Sequence, residues 1–233
     1  MAEGLRDSSY EACVAVNNAV NGSHPDYVEL VDSTYEKLPE NHNDSSHNEY
    51  TTPSDVQVFQ HRRDGSVDFY LFWDNYKKGF GEPDGEYWLG NDHLHQLTSL
   101  GTSDFYVRLE KFTGGWAYAK YNNFSVADES YGYRMRLKVG SYQGNAEDSI
   151  ESEGTTNTNG FKFSTSDIDN DVASTSCAVA RKGAWWYKEC TWANLNGIYG
   201  NGSCAAAGNC NFWYSLTNSF NGIKTSFMMV RRA

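Results

Sequence analysis

No run of about eighteen apolar residues occurs in this chain, and its mean hydropathy is −0.66, so no segment reads as a membrane-spanning helix. The opening Met1-Ala-Glu-Gly-Leu-Arg6 has no apolar core of the kind a secretory leader needs; the expectation is a sequence that starts after such a leader, or a fragment. Basic residues are also scarce. Nineteen Lys and Arg face thirty Asp and Glu, a formal net charge of −11. A field of that sign repels phosphate backbones and anionic lipid heads, which sets aside nucleic acid and membrane insertion as partners. The same acidity serves equally well as a solubility device of an extracellular protein.

Catalytic signatures are missing too. There is no Gly-x-Ser-x-Gly elbow, no P-loop and no His-Glu-x-x-His. His93 and His95 lie two apart, which puts them on different sides of a helix instead of one face. Paired carboxylates are common in so acidic a chain, so their nearness in sequence says little about acid–base work. These absences point to a binding protein and not to an enzyme.

What is abundant is aromatic surface: seven Trp and sixteen Tyr, with aromatics at 15% of 233 residues, enough for one substantial core. Residues 1–55 are polar and irregular and end in Glu40-Asn-His-Asn-Asp-Ser-Ser-His-Asn-Glu49, an exposed or disordered stretch. From Val56 the patterning improves. Asn91 to Thr98 reads as a short helix with Asn91 as N-cap and Leu94 and Leu97 on one side. Phe105–Phe112, Tyr118–Val126 and Tyr133–Val139 alternate apolar with polar residues, as strands with one buried face do, and predict a twisted, mostly antiparallel sheet. After Val139 the sequence turns to Gly, Asn and Ser until Thr225–Val230, so that region is expected to be built of loops, where binding sites tend to sit.

Within it stands Asp167-Ile-Asp169-Asn-Asp171. Alternating Asp residues on a turn can aim two carboxylates at a hard cation while backbone carbonyls complete the shell. The stretch is not an EF-hand: counting from Asp167, Val172 takes the place of the required glycine and Ala178 that of the closing glutamate. A solvated Asp/Asn turn without metal explains the pattern equally well, and both readings stay open on these residues alone. Of five cysteines, Cys204 and Cys210 flank Ala-Ala-Ala-Gly-Asn and could close a small loop. Four sequons, at Asn21, Asn43, Asn123 and Asn201, would suit a secreted glycoprotein.

The ordered motifs Arg63-Asp-Gly-Ser-Val-Asp-Phe69, Tyr76-Lys-Lys-Gly-Phe-Gly81, Glu86-Tyr-Trp-Leu-Gly-Asn-Asp92, Tyr118-Ala-Lys-Tyr121, Phe163-Ser-Thr165, Asp169-Asn-Asp171, Cys177 to Cys190, Asn194-Leu-Asn-Gly197 and Trp213-Tyr-Ser-Leu216 resemble those of the fibrinogen C-terminal domain, the module of fibrinogen, ficolins, tachylectin-like lectins, angiopoietins and tenascins. The resemblance covers roughly residues 56 to 230 and implies an α+β fold: a central twisted, mostly antiparallel sheet with short helices and a loop-rich, calcium-binding C-terminal subdomain. Over residues 1–55 it stops, so that segment is expected to diverge from a domain spanning 56–233. It implies a Ca2+ ion held by the Asp169 and Asp171 side chains and the Ala173 and Thr175 carbonyls, and a Cys177–Cys190 disulfide. Closing such a loop removes on the order of 3 kcal/mol of denatured-state freedom. Cys13 is then left over, either as a buried free thiol or as a bridge to a second copy in a homo-oligomer.

In the sugar-binding relatives an acetyl group sits in a box beside the calcium loop, lined by aromatic residues and a His. The matching positions here hold Arg181 and Thr191, and the later Tyr-Ala pair falls within Ser203-Cys-Ala-Ala-Ala-Gly208, with no Tyr. The resemblance also implies a cis Glu189–Cys190 peptide whose neighbouring amides face the ligand, so Arg181, Glu189, Cys190, Thr191, Cys204 and Ala205 are the ligand-site candidates. Arg181 could meet a carboxylate or sulfate instead of an acetyl group. Three readings follow: a secreted, lectin-like innate-immune pattern-recognition module binding glycans or acidic or acetylated groups, an extracellular protein-interaction module, or a stable scaffold whose loops carry no evolved site.

Overall fold

A computed structural model describes residues 56–151, 154–204 and 208–232. The segment 1–55, with Cys13, Asn21 and Asn43, lies outside the described residues, as does Ala205. Val58–Ala233 forms one compact unit.

The framework is a sheet of β1 (Val56–Arg62), β2 (Phe80–Gly81), β3 (Tyr87–Trp88), β4 (Ser103–Lys111), β5 (Trp116–Tyr121), β8 (Gln143–Gly144) and β9 (Ile223–Arg232), in the order β2-β3-β1-β9-β4-β5-β8. The pairs β2/β3, β1/β3, β4/β9, β4/β5 and β5/β8 are antiparallel. Alternation decides the faces. Phe105, Val107 and Leu109 of β4 are fully buried while the residues between them are half-exposed, and they stand opposite Val230, Met228 and Ser226 of β9. A separate two-stranded ribbon pairs β6 (Ser125–Val126) with β7 (Met135–Arg136). The helices α1 (Trp73–Lys78), α2 (Asn91–Ser99), α3 (Cys177–Arg181) and α4 (Tyr214–Thr217) are all short.

The α+β fold and the strands at 105–112 and 225–230 are as expected. Three details differ. Gly90, at φ 109, occupies the cap of α2 and Asn91 is its first helical residue, with no cap bond from a side group. The predicted strand from Tyr118 to Val126 breaks after Tyr121, because the backbone turns through Asn123 at φ 55 before β6. In the segment 133–139 the alternation is real, with Tyr133, Met135 and Leu137 buried. Only Met135–Arg136 pairs as a strand, since Tyr133 itself has φ 46 and Val139 is 81% exposed. Alternating burial does not require a ladder.

One buried ion pair joins the sheet to the loops. Glu86 accepts from the amides of Arg63 (2.8 Å), Asp64 (3.1 Å), Gly65 (3.0 Å) and Val67 (3.1 Å), and stands 3.4 Å from the Arg62 guanidinium. Arg62 lies 3.9 Å over the Phe69 ring and donates to the carbonyls of Gly197 (2.8 Å) and Leu195 (3.2 Å). This accounts for the Arg63–Phe69 motif: its amides form a nest around one carboxylate. Burial pushes the Glu86 carboxyl up, but Arg62 and the nest outweigh it and hold the group below the usual carboxylate range.

Candidate functional site

The acidic loop leaves the core at Ser164, which bridges Trp185 through amide bonds of 2.9 and 3.2 Å. Asn170 fastens the loop back, its amide donating to Ser164 Oγ (3.0 Å) and its side chain to the Phe163 carbonyl (2.8 Å). Asp167 faces the other way: its Oδ1 accepts from the amide of Trp73 (3.0 Å), at the start of α1, and from Thr165 Oγ1 (2.7 Å). Asp167 is therefore a structural tether, and the carboxylates left for an ion are those of Asp169 and Asp171.

Asp171 is the better anchored of the two. Its Oδ1 accepts from the amide of Ala173 (2.9 Å) and its Oδ2 from that of Cys177 (2.8 Å), the first residue of α3, while Ser176 caps that helix. Asp169 Oδ1 accepts from the Asp171 amide at 3.2 Å. Burial raises the Asp171 carboxyl; the Cys177 and Ala173 amides lower it, and the neighbouring Asp169 carboxyl raises it again, for a net upward shift. Two carboxylates this close, with Asp171 half-buried and pushed upward in part by Asp169, form an arrangement that a divalent cation relieves. No group of three His, Cys, Asp or Glu residues suited to a metal occurs among the described residues. An ion here would depend on backbone oxygens such as those of Ala173 and Thr175, and the oxygen-only donor set fits Ca2+.

The disulfides are Cys177–Cys190, with Cα atoms 5.3 Å apart, and Cys204–Cys210, at 5.4 Å. The first ties the start of α3 to the bend after Tyr187, and the Glu189–Cys190 peptide is cis. Val172 donates to the Lys188 carbonyl at 3.1 Å, so the acidic loop and the disulfide loop are also stitched by backbone. Asn194 is the knot beyond them. Its Nδ2 donates to the carbonyls of Arg181 (3.0 Å) and Cys210 (2.9 Å), and Tyr187 Oη donates to its Oδ1 (2.6 Å). The glycine that completes Asn194-Leu-Asn-Gly197 is required by close approach: a Cβ on Gly197 would stand 2.3 Å from the Cys210 carbonyl oxygen.

The ligand-site candidates do not all converge. Arg181, at the end of α3, places its guanidinium 5.3 Å from the centre of the Phe220 ring, and burial lowers its pKa. Cys204 is half-buried, and its partner Cys210 has Sγ 3.7 Å from the Phe220 carbonyl, so Arg181 and this disulfide share Phe220 as a neighbour. Glu189 is exposed, and its amide donates to the Thr155 carbonyl at 3.1 Å. Thr191 offers no ligand group at the surface. It is buried, and its hydroxyl closes a local turn, donating to the Ala193 carbonyl (2.8 Å) and accepting from the Ala193 amide (3.0 Å).

The sequence reading missed the aromatic group around Arg181. Trp192 lies 4.1 Å from Tyr214 and 5.8 Å from Phe220, and Tyr214 lies 5.0 Å from Phe220, all three half-buried. They come from two loop segments and the start of α4, without shared periodicity, and the single local signal is the position of Trp192 two residues beyond Cys190.

The family model for the C-terminal globular domain of the fibrinogen beta and gamma chains matches residues 39–233, beginning upstream of Val56. Ryncolin-4 of Cerberus rynchops is 43% identical over 175 residues, 75% of this chain and 49% of its own length. Angiopoietin-related protein 6 of Homo sapiens is 47% identical over 145 residues, 62% of this chain and 29% of its own. The chain thus spans about half the length of the first relative and under a third of the second. Among solved structures, the fibrinogen-like globe domain of human ANGPTL2 superposes with a TM-score of 0.71 at 34% identity, covering 88% of this chain and 97% of that one. That of ANGPTL6 gives 0.71 at 39%, covering 76% and 78%. Lamprey fibrin D-dimer in complex with Gly-His-Arg-Pro-amide gives 0.71 at 29%, covering 76% and 61%. With its ordered motifs, its sheet and a family model matched over most of its length, the chain belongs to the fibrinogen C-terminal globular domain family.

Proposed function

We propose that this protein is a secreted, calcium-binding, fibrinogen-related recognition module, a lectin-like pattern-recognition domain that takes glycans or acidic or acetylated groups beside its calcium loop. The observation that carries this reading is the Asp171 carboxylate, held by the amides of Ala173 and Cys177 next to Asp169 at the start of α3. Calcium bound by Asp169, Asp171 and the Ala173 and Thr175 carbonyls would stiffen the loop against the Cys177–Cys190 segment; the chemistry it supplies is charge compensation and not catalysis. The disulfides suit an oxidising compartment, and the sequon residues Asn123 and Asn201 are exposed, as glycan acceptors must be. No helix among the described residues is long and apolar enough to cross a membrane. A homo-oligomer bridged by Cys13 is compatible with this role.

A glycan array read with and without chelator tests the proposal: binding that requires calcium supports it, and the absence of glycan binding contradicts it. That contradiction would favour a second reading, an extracellular protein-interaction module. Phe72 (60%), Tyr131 (65%) and Val172 (57%) are exposed apolar residues on segments joined to the acidic loop through Trp73, Glu129 and Asp171, as a protein interface would need. The peptide complex of the lamprey relative suits that reading as well.

A further inference from the structure

We propose that Asn123 carries an N-linked glycan whose first sugars cover Leu100 and Val139, an inference that rests on the secreted reading and gives one of its sequons a site and a role. Val139, at 81%, and Leu100, at 68%, are the two most exposed large apolar side chains among the described residues. Single apolar groups on a surface are ordinary, but these two flank the same short segment. On one side the strip 122–126 is stitched to 98–103: the Phe124 amide donates to the Ser103 carbonyl at 2.6 Å, and the Val126 amide to Thr98 Oγ1 at 3.0 Å. On the other it is stitched to 138–141: the Lys138 amide donates to the Asn122 carbonyl at 2.8 Å, and the Asn122 amide to Ser141 Oγ at 3.0 Å. Leu100 lies inside the first stitched segment and Val139 inside the second, so Asn123 stands between the two loops that carry them.

Asn123-Phe-Ser125 is an acceptor signal, and the fold leaves room for a stem there. Asn123 is exposed at φ 55, in the left-handed region that Asn tolerates better than most residues. Phe124 turns into the core and Ser125 begins β6. A substituent on the Asn123 amide therefore displaces nothing buried. Transfer forms a bond between Asn123 Nδ2 and the anomeric carbon of an oligosaccharide; the bond from that carbon to its lipid pyrophosphate donor breaks, and one amide proton leaves with the pyrophosphate. A glycan that begins in acetamido sugars offers C–H and methyl groups near its stem and hydroxyls farther out. The first suit Leu100 and Val139, and the second face water.

The full chain is expressed in mammalian cells behind a secretory leader, and its peptides are mapped before and after glycosidase release in heavy-oxygen water. Asn123 is expected to be recovered as labelled aspartate in most molecules; an unmodified Asn123 in the secreted chain overturns the inference. The covering role is read from self-association by light scattering. Ser125→Ala removes the acceptor signal and keeps the left-handed turn, and it should associate about threefold faster than the glycosylated chain. Adding Leu100→Ser and Val139→Ser to that variant should return the rate to the glycosylated level. Should Ser125→Ala fail to fold, enzymatic release of the glycan from the native protein gives the same comparison. An association rate indifferent to the glycan, or one that the two serine substitutions leave raised, overturns the covering role. If Asn123 is unmodified while glycans bind on the array with calcium, the inference fails and the lectin-like reading stands; if Asn123 is modified and no glycan binds, the reverse holds.

Discussion

In β4, β5 and β9 order comes from repetition: six consecutive cross-strand partners from Phe105↔Tyr121 to Glu110↔Trp116, a continuous ladder from β4 to β9, and in β4 and β5 an alternation that sends every second side chain inward. Between Ala146 and Gly222 almost nothing repeats. That region is held by single side chains that each satisfy a particular backbone group: Trp186 Nε1 to Tyr133 O (2.7 Å), Trp213 Nε1 to Ala146 O (3.0 Å), Asn194 to two carbonyls, Asp171 to two amides, and two disulfides. A ladder tolerates the loss of one member because its neighbours repeat the same bond. A structure of unique ties should fail at single positions. The two halves should therefore respond differently to mutation, and the loop half is the one able to host a site.

The largest effect expected is at Trp186. Trp186→Ala opens a cavity among Trp88, Phe163 and Trp185 and leaves the Tyr133 carbonyl without its donor, at a cost of about 5 kcal/mol in urea unfolding. Leu109→Ala, its counterpart on β4, should cost about 3 kcal/mol; a larger loss at Leu109 would break the comparison.

Next comes the joint between the halves. Glu86→Gln leaves Arg62 buried opposite a neutral group and weakens four amide bonds, for a loss of about 3 kcal/mol by thermal or urea unfolding. Because the folded Glu86 carboxyl titrates below its unfolded value, the stabilisation is complete above the unfolded pKa of about 4.3 and disappears as pH falls through the folded value. In the Gln variant that part of the acid-induced loss should be absent, so wild type and variant should converge in stability as the pH drops below about 4.

A smaller effect is expected at the acidic loop. At a calcium concentration a hundredfold above its dissociation constant, binding adds about 2.7 kcal/mol. Asp169→Ala should remove that calcium-dependent gain while leaving the apo protein's melting temperature nearly unchanged, since Asp169 is exposed and accepts a single amide. An unmutated protein whose melting temperature ignores calcium and chelator would contradict the assignment. Smallest of all, Asp104→Asn on the sheet removes the Lys120 ion pair at 3.1 Å and should cost under about 1 kcal/mol, because neighbouring ladder bonds are untouched. A loss matching that at Glu86 would show the sheet to depend on unique ties as well.

The same contrast explains what could be read from residues alone. Period-two burial exposed β4, and an apolar run exposed β9, whose residues 225–230 are buried on both faces, yet β2, β3 and β8, each of two residues, are too short to show any period. In the segment 133–139 the period was present, but the ladder is confined to Met135–Arg136. The acidic loop was visible because its carboxylates are neighbours in sequence. Its anchoring was not: Trp73 on Asp167 and Lys188 on Val172 reach across 94 and 16 positions. Thr191 entered the candidates on its place next to Cys190, which says nothing about which way the hydroxyl turns. Trp192, Tyr214 and Phe220 meet only because the fold brings two loops and the start of α4 together.

The central claim, that calcium organises the loop half on a sheet already rigid without it, is tested most directly by hydrogen–deuterium exchange of the native protein with and without calcium. Slowed exchange confined to the amides of 169–177 and their partners near Lys188, with β4, β5 and β9 unchanged, is the predicted result. No change in the acidic loop, or equal slowing throughout the sheet, would contradict it.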